Sequence, residues 1–226
     1  MGTVVFDLDG TLADTSGDLV AAANACFRGR GLGDLLDPVA DALIAFQGGR
    51  AMLNAGYARM PADYLLPPGA VEDDYARLLG HYGDHIAVHT RLYPGVLDAL
   101  DRLDGMGLRL SVCTNKPQGL ADTLLRELGI RDRFGALVGA DTLPVRKPDP
   151  RPYQLAVEQA GGTVARSFLV GDTDTDRKTA AAAGVRVALV SFGPEGAGIA
   201  RLSPDALLAH YDDLPDLAAK WFSDAP

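Results

Sequence analysis

Lysine is scarce in this chain of 226 residues: only Lys116, Lys147, Lys178 and Lys220 occur, and arginine supplies the remaining basic side chains. Acids outnumber bases to give a net charge of -9, which disfavours nucleic acid and anionic membranes as partners. An anionic substrate would therefore need a locally positive site. Cysteine is scarcer still. Cys26 and Cys113 form neither a disulfide framework nor a metal-spaced cluster, and Cys113 falls in an apolar run and reads as core. No apolar run approaches the length of a membrane span. The first residues enter a strand without a charged leader, so no signal peptide is expected. Phe6 stands where a myristoylation site needs a hydroxyl. A cytoplasmic protein with reduced thiols is predicted. Repeats and low-complexity tracts are also missing. Gly29-Arg30-Gly31-Leu32-Gly33 is no dinucleotide fingerprint, because no strand precedes it; it reads as a helix end and turn.

What is present is an ordinary globular balance of 47% hydrophobic and 23% charged residues, enough for one large domain or one domain with an insertion. Buried-strand patterns occur at Val4 to Phe6, Leu108 to Thr114, Ala136 to Val138, Ser167 to Gly171 and Arg186 to Ser191. Helical patterns at Val96 to Met106, Gly119 to Leu128, Pro152 to Ala160 and Asp176 to Ala183 separate the later ones. This alternation predicts an α/β fold with a parallel sheet flanked by helices, whose ligands bind beyond the carboxyl ends of the strands. Residues 16–90 break the rhythm. Val20 to Phe27, Pro38 to Phe46, Met52 to Met60 and Val71 to His89 read as helices with no strand among them. A Rossmann-like core of residues 1–15 and 91–226 with an inserted all-helical domain at 16–90 is expected. The two chain crossings would form a hinge pair, and Tyr93-Pro94-Gly95-Val96 returns the chain to the sheet.

The strand ends carry the chemistry. Val4-Val5-Phe6 runs into Asp7-Leu8-Asp9-Gly10-Thr11. Two carboxylates two residues apart on an extended chain point to one side, where desolvation and mutual repulsion penalise both. A divalent cation would relieve both costs, although a strand followed by a solvated Asp-Gly turn also fits the phrase. Later strands end in Thr114-Asn115-Lys116 and in Gly171-Asp172-Thr173-Asp174-Thr175-Asp176, and Lys147-Pro148 follows the third strand by a loop. Helix capping alone would account for Thr114-Asn115 or for the acid-rich turn. In a parallel sheet, however, all these ends share one edge. That edge collects Asp7, Asp9, Asp172 and Asp176 against one well-placed lysine, Lys147. Oxygen ligands in surplus favour a hard cation, Mg²⁺. With the cation and Lys147 in place, Thr114 and nearby amides could receive phosphoryl oxygens, and Asp7 could act as ligand or nucleophile.

These four phrases in this order resemble the motifs of the haloacid dehalogenase-like hydrolase superfamily over nearly the whole chain. The resemblance implies a Rossmann-like core with a helical cap inserted between the first two motifs. It implies that Asp7 attacks phosphorus and that Asp9 protonates the leaving oxygen and then activates water. Mg²⁺ would be held by Asp7, the Asp9 carbonyl and Asp172, while Thr114, Asn115 and Lys147 steady the phosphoryl group. Asp176 would support Lys147 or a metal-bound water, and Thr11 would support the first motif.

Within the superfamily the chain is most similar to the phosphoglycolate phosphatase family, on Asp18 to Asn24, Phe46-Gln47-Gly48-Gly49-Arg50, Tyr93 to Val96, and Gly139 to Pro144 leading to Lys147-Pro148-Asp149-Pro150. Phe192-Gly193-Pro194-Glu195 matches less well. The implied reaction is hydrolysis of 2-phosphoglycolate, with Gly49 and Arg50 in a specificity loop and Arg50 available for a substrate carboxylate. A solvated arginine is the other reading of Arg50. Asp9 separates the chain from the dehalogenases, which lack that aspartate. Residues 16–90 contain no lysine, which counts against phosphonoacetaldehyde hydrolase and beta-phosphoglucomutase, both users of a cap lysine. A broad sugar-phosphate or nucleotide phosphatase stays open, and a non-catalytic binding protein would be expected to have lost Asp7, Asp9 or Lys147. The partner expected is a small phosphorylated metabolite, and the protein would be a monomer or homodimer. His81, His85 and His89 recur at helical spacing and read as a polar helix face rather than a metal site. Trp221 and Phe222 follow an amphipathic stretch and read as core packing or a dimer contact.

Overall fold

The computed structural model describes residues 2–223. Along the chain its elements are β1 (Thr3–Phe6), β2 (Ala13–Asp14), α1 (Ser16–Gly29), α2 (Ala42–Ala45), α3 (Gly49–Tyr57), α4 (Ala70–Asp84), β3 (Arg91–Leu92) and α5 (Val96–Gly105). They continue as β4 (Arg109–Cys113), α6 (Gln118–Glu127), β5 (Ala136–Val138), α7 (Pro150–Gln159), β6 (Ser167–Gly171), α8 (Asp174–Ala183), β7 (Arg186–Val190), β8 (Ala206–Leu208) and α9 (Leu214–Ser223). The chain divides into two compact units, one of Met1–Asp14 with Leu92–Pro226 and one of Thr15–Arg91.

The first unit is a six-stranded sheet in the order β5-β4-β1-β6-β7-β8, with every pair parallel. β1 lies near the middle, and its four residues are all buried, as expected where helices cover both faces. Alternation sends neighbouring residues to opposite sides. Leu169 joins Val5, Val138, Tyr153 and Ala180 in a core beneath α7 and α8. Its neighbour Phe168 instead meets Trp221 of α9 edge to face at 4.9 Å, so Trp221 is core. The sixth strand, β8, is absent from the sequence-based reading. It spans only three residues and gives no periodic signal of its own.

The second unit is helical, with α1 packed on α3 and α4 and Phe27 against Tyr57 at 5.1 Å. Two of its helices are shorter than their sequence patterns. The stretch Pro38 to Phe46 keeps only α2 as helix, because the Asp37 carboxylate accepts the amides of Val39 and Ala40 in a local turn. The pattern from Val71 to His89 ends as helix at Asp84. Beyond it the buried Asp18 carboxylate accepts the amides of His89 and Thr90 and the Thr90 hydroxyl. Those bonds replace helical ones, so His81, His85 and His89 do not share a helix face.

Candidate active site

Three site residues stand one position past a strand end. Asp7 follows β1 and extends the ladder by donating its amide to Val170 O at 2.9 Å. Thr114 follows β4 and donates its amide to Val138 O at 3.0 Å. Asp172 follows β6. After Asp7 the chain turns at once: Thr11, Leu12 and Ala13 all donate their amides to Leu8 O. Gly10 holds φ at 79° within this turn, a conformation that side-chain-bearing residues resist. Tyr211 fixes the turn from outside, its buried hydroxyl donating to Thr11 O at 2.8 Å. Burial pushes that phenol well up, with Asp172 adding to the effect, so it stays a donor.

Lys147 is the hub. Its Nζ lies 2.6 Å from Asp176 Oδ1 and 3.0 Å from Asp7 Oδ2, and its side chain is 1% exposed. Burial alone would strip the proton, but attraction to Asp176 and Asp7 outweighs it and holds the pKa above the ordinary lysine value. Asn115 Nδ2 donates to Lys147 O at 3.0 Å. Its side-chain amide therefore ties the Lys147 backbone to the end of β4.

Asp176 is saturated. Its Oδ1 takes Lys147, and its Oδ2 accepts the amides of Asp172 and Thr173 and the Thr173 hydroxyl. Thr173 Oγ1 in turn accepts the Asp176 amide, closing a capping box at the start of α8. A Cβ on Gly171 would lie 2.4 Å from Asp176 Cγ, so only glycine there lets this carboxylate pack against the strand end.

Asp7 and Asp172 are the strained pair. Asp7 Oδ1 accepts the Leu8 amide at 2.7 Å, and Asp172 Oδ1 accepts the Thr11 hydroxyl at 2.8 Å. Burial pushes the Asp7 carboxyl up to about 6; Lys147 pulls it back, while Asp176 and Asp9 push it further. Burial, then Asp176 and Asp7, raise Asp172 well above the carboxylate range. Oxygens of Asp7, Asp172 and Asp176 lie within 4.8 Å of one another. Because Asp176 is already satisfied, the two under-compensated carboxylates are the ones a hard cation would serve. An all-oxygen, buried, net-acidic donor set fits a small divalent ion.

The charge count made from sequence needs correction. Two lysines serve this edge: Lys116 Nζ lies 2.7 Å from Asp9 Oδ1 with its side chain 4% exposed. The separation of 107 residues hides this pair from local patterns; the signal available was a lysine two residues past Thr114 at a strand end. The Lys116 amide also donates to Thr114 Oγ1 at 3.2 Å. Gly49 and Arg50 belong to the helical unit. Arg50 does not present a free guanidinium, since Nε and Nη2 both donate to Glu72 at 2.7 Å and the group lies 3.8 Å from the Tyr75 ring centre. Cys113, at the end of β4, is inert core: burial pushes its thiol up to about 12.

A family model described as "Haloacid dehalogenase-like hydrolase" matches residues 4–190. The chain belongs to that family. Phosphoglycolate phosphatase from Mesorhizobium japonicum is 37% identical over 93% of this chain and 92% of its own. Phosphoglycolate phosphatase from Agrobacterium fabrum is likewise 37% identical, over 96% of this chain and 91% of its own. The crystal structure of "a predicted phosphoglycolate phosphatase" from Haemophilus somnus superposes with a TM-score of 0.84 at 25% identity, covering 96% of this chain and 97% of that one. The protein is a phosphoric monoester hydrolase similar to these phosphoglycolate phosphatases.

Proposed function

We propose that this protein hydrolyses 2-phosphoglycolate to glycolate and phosphate, with Asp7 as nucleophile and Mg²⁺ as cofactor. One observation carries the reading: Asp7, fixed at the end of a central strand, lies 3.0 Å from a buried Lys147 and beside Asp172. The names of the relatives supply the substrate.

In this reading Asp7 Oδ forms a bond to phosphorus as the ester oxygen departs. The departing oxygen takes a proton from the Asp9 carboxyl, releasing glycolate. The Asp9 carboxylate then accepts a proton from the water that attacks the phosphorus of the aspartyl-phosphate, and phosphate and free Asp7 result. Asp9 sits two residues beyond the nucleophile in the tight turn closed by Leu8 O. Lys147 neutralises phosphoryl oxygens while Asp176 keeps it charged and aimed, and Thr114 offers its hydroxyl. This is catalysis by positioning and charge neutralisation. Asp7, Asp172 and the Asp9 carbonyl would hold Mg²⁺, which when bound supplies positive charge to the phosphoryl group and to the two crowded carboxylates. The helical unit of residues 15–91 serves as the cap.

A phosphate-release assay with Mg²⁺ across 2-phosphoglycolate, sugar phosphates, nucleotides and an aryl phosphate tests the reading. 2-Phosphoglycolate is expected to show the highest kcat/KM. A ranking below the sugar phosphates would refute the substrate while leaving the reaction class.

A further inference from the structure

The chemistry above leaves one buried cation without a task. Lys116 is one of four lysines, and its side chain is almost as deeply buried as that of Lys147. Its backbone is fixed on both sides, the amide donating to Thr114 Oγ1 and the carbonyl accepting the Ala140 amide at 2.9 Å. Burying an ammonium is costly. Its partner Asp9 has a side chain 20% exposed, so this ion pair is reached by solvent through Asp9, whereas Lys147 and Asp176 are sealed.

We propose that Lys116 is the specificity determinant for the substrate carboxylate. The proposal rests on the reading of 2-phosphoglycolate as substrate. In that ester the carboxylate is carried by the single carbon attached to the ester oxygen. Asp9 delivers its proton to that same oxygen, so it must come within hydrogen-bond distance of it. Lys116 Nζ is 2.7 Å from an Asp9 carboxyl oxygen, which puts it one short step from a carboxylate on the adjacent carbon. An ammonium has three donors and can bridge Asp9 and a second carboxylate. Charge points the same way. Lys147 is committed between Asp7 and Asp176, and a cation at the phosphoryl group does not balance the substrate's third negative charge. Arg50, the candidate suggested by sequence, is bidentate on Glu72.

The test compares kcat/KM for 2-phosphoglycolate with that for ethyl phosphate, which has the same skeleton without the carboxylate. The comparison is made in wild type, Lys116→Met, Lys116→Gln and Lys116→Arg. The ratio of the two values cancels any loss shared by both esters through misplacement of Asp9. The ratio is expected to fall about ten- to hundred-fold in the Met and Gln variants, the size of a lost charge-assisted hydrogen bond. The fall should come mainly from KM for 2-phosphoglycolate, and Lys116→Arg should retain most of the preference. Lys116→Gln keeps a donor toward Asp9, so it supplies a folded variant if Lys116→Met is not tolerated. A wild-type preference that persists unchanged in the neutral variant, with or without equal loss on both esters, overturns the proposal and leaves Lys116 as a support for Asp9. A wild-type ratio near one overturns the substrate reading and the proposal with it.

Discussion

The ammonium of Lys147 lies 2.6 Å from Asp176 Oδ1, and both side chains are sealed from solvent. Removing Asp176 leaves Lys147 with Asp7 alone and takes the acceptor from the buried Asp172 amide and the Thr173 amide; an unsatisfied buried group costs about 1–3 kcal/mol. Asp176→Ala is therefore expected to lower unfolding free energy by at least about that amount in urea melts and to lose activity. Lys147→Met removes the buried cation but leaves Asp7, Asp172 and Asp176 crowded. It should lose activity at least as severely while gaining more thermal stability from Mg²⁺ than wild type loses on chelation.

Asp7→Asn keeps the shape of the strand end and removes the nucleophile. Turnover with Mg²⁺ and 2-phosphoglycolate should fall by several orders of magnitude, with folding intact in a thermal melt. Asp9→Asn should also be crippled, through loss of the proton donor.

The metal-free protein should show an inverted pH response. The Asp7 carboxyl rises from 3.8 to about 6 on folding, so between those values the folded form binds more protons than the unfolded chain, and stability falls as pH rises. Asp172 acts in the same direction. In EDTA, the melting temperature of wild type relative to Asp7→Asn should therefore drop between about pH 4 and pH 7. Restoring Mg²⁺ should erase the drop and stabilise wild type more at pH 7 than at pH 5. A difference that stays flat with pH would show that the two carboxylates are not crowded.

The helical unit has its own buried centre. Asp74 is fully buried and receives Arg30, Arg77 and the Tyr57 hydroxyl. Burial alone would raise its pKa, but Arg30 and Tyr57 outweigh it and hold it below the ordinary range. Its stabilisation is thus present above about pH 4 and fades as pH falls through the lowered value. Asp74→Ala should destabilise this unit by about 3–5 kcal/mol, because Arg30 loses its partner. Chemical denaturation followed by amide exchange in α1, α3 and α4 would report it.

Much of this molecule is legible in its sequence, for physical reasons that differ by residue. Strands such as β1 and β6 are buried on both faces and read as unbroken apolar runs, so Asp7 and Asp172 stand out at their ends. Asp176 and Lys147 are recognisable because a parallel sheet gathers strand ends at one edge. Long-range pairs are not recognisable in this way. Lys116 meets Asp9 from beyond the end of the neighbouring strand, 107 residues away in sequence, and Tyr211 reaches Thr11 across 200 residues. Asp18 cuts short the helical pattern of α4 from the start of α1, where no window centred on His89 could register it. Arg50 pairs with Glu72 on the next helix, a partner 22 residues away that no local pattern shows.

In the proposed mechanism Asp7 carries the phosphoryl group. Rapid acid quench during turnover of 2-phosphoglycolate with Mg²⁺, followed by peptide mapping by mass spectrometry, tests it most directly. A phosphoryl adduct on Asp7, labile to hydroxylamine and absent from Asp7→Asn, is the predicted result. Wild-type turnover with the adduct on another side chain, or undiminished turnover in Asp7→Asn, would contradict it.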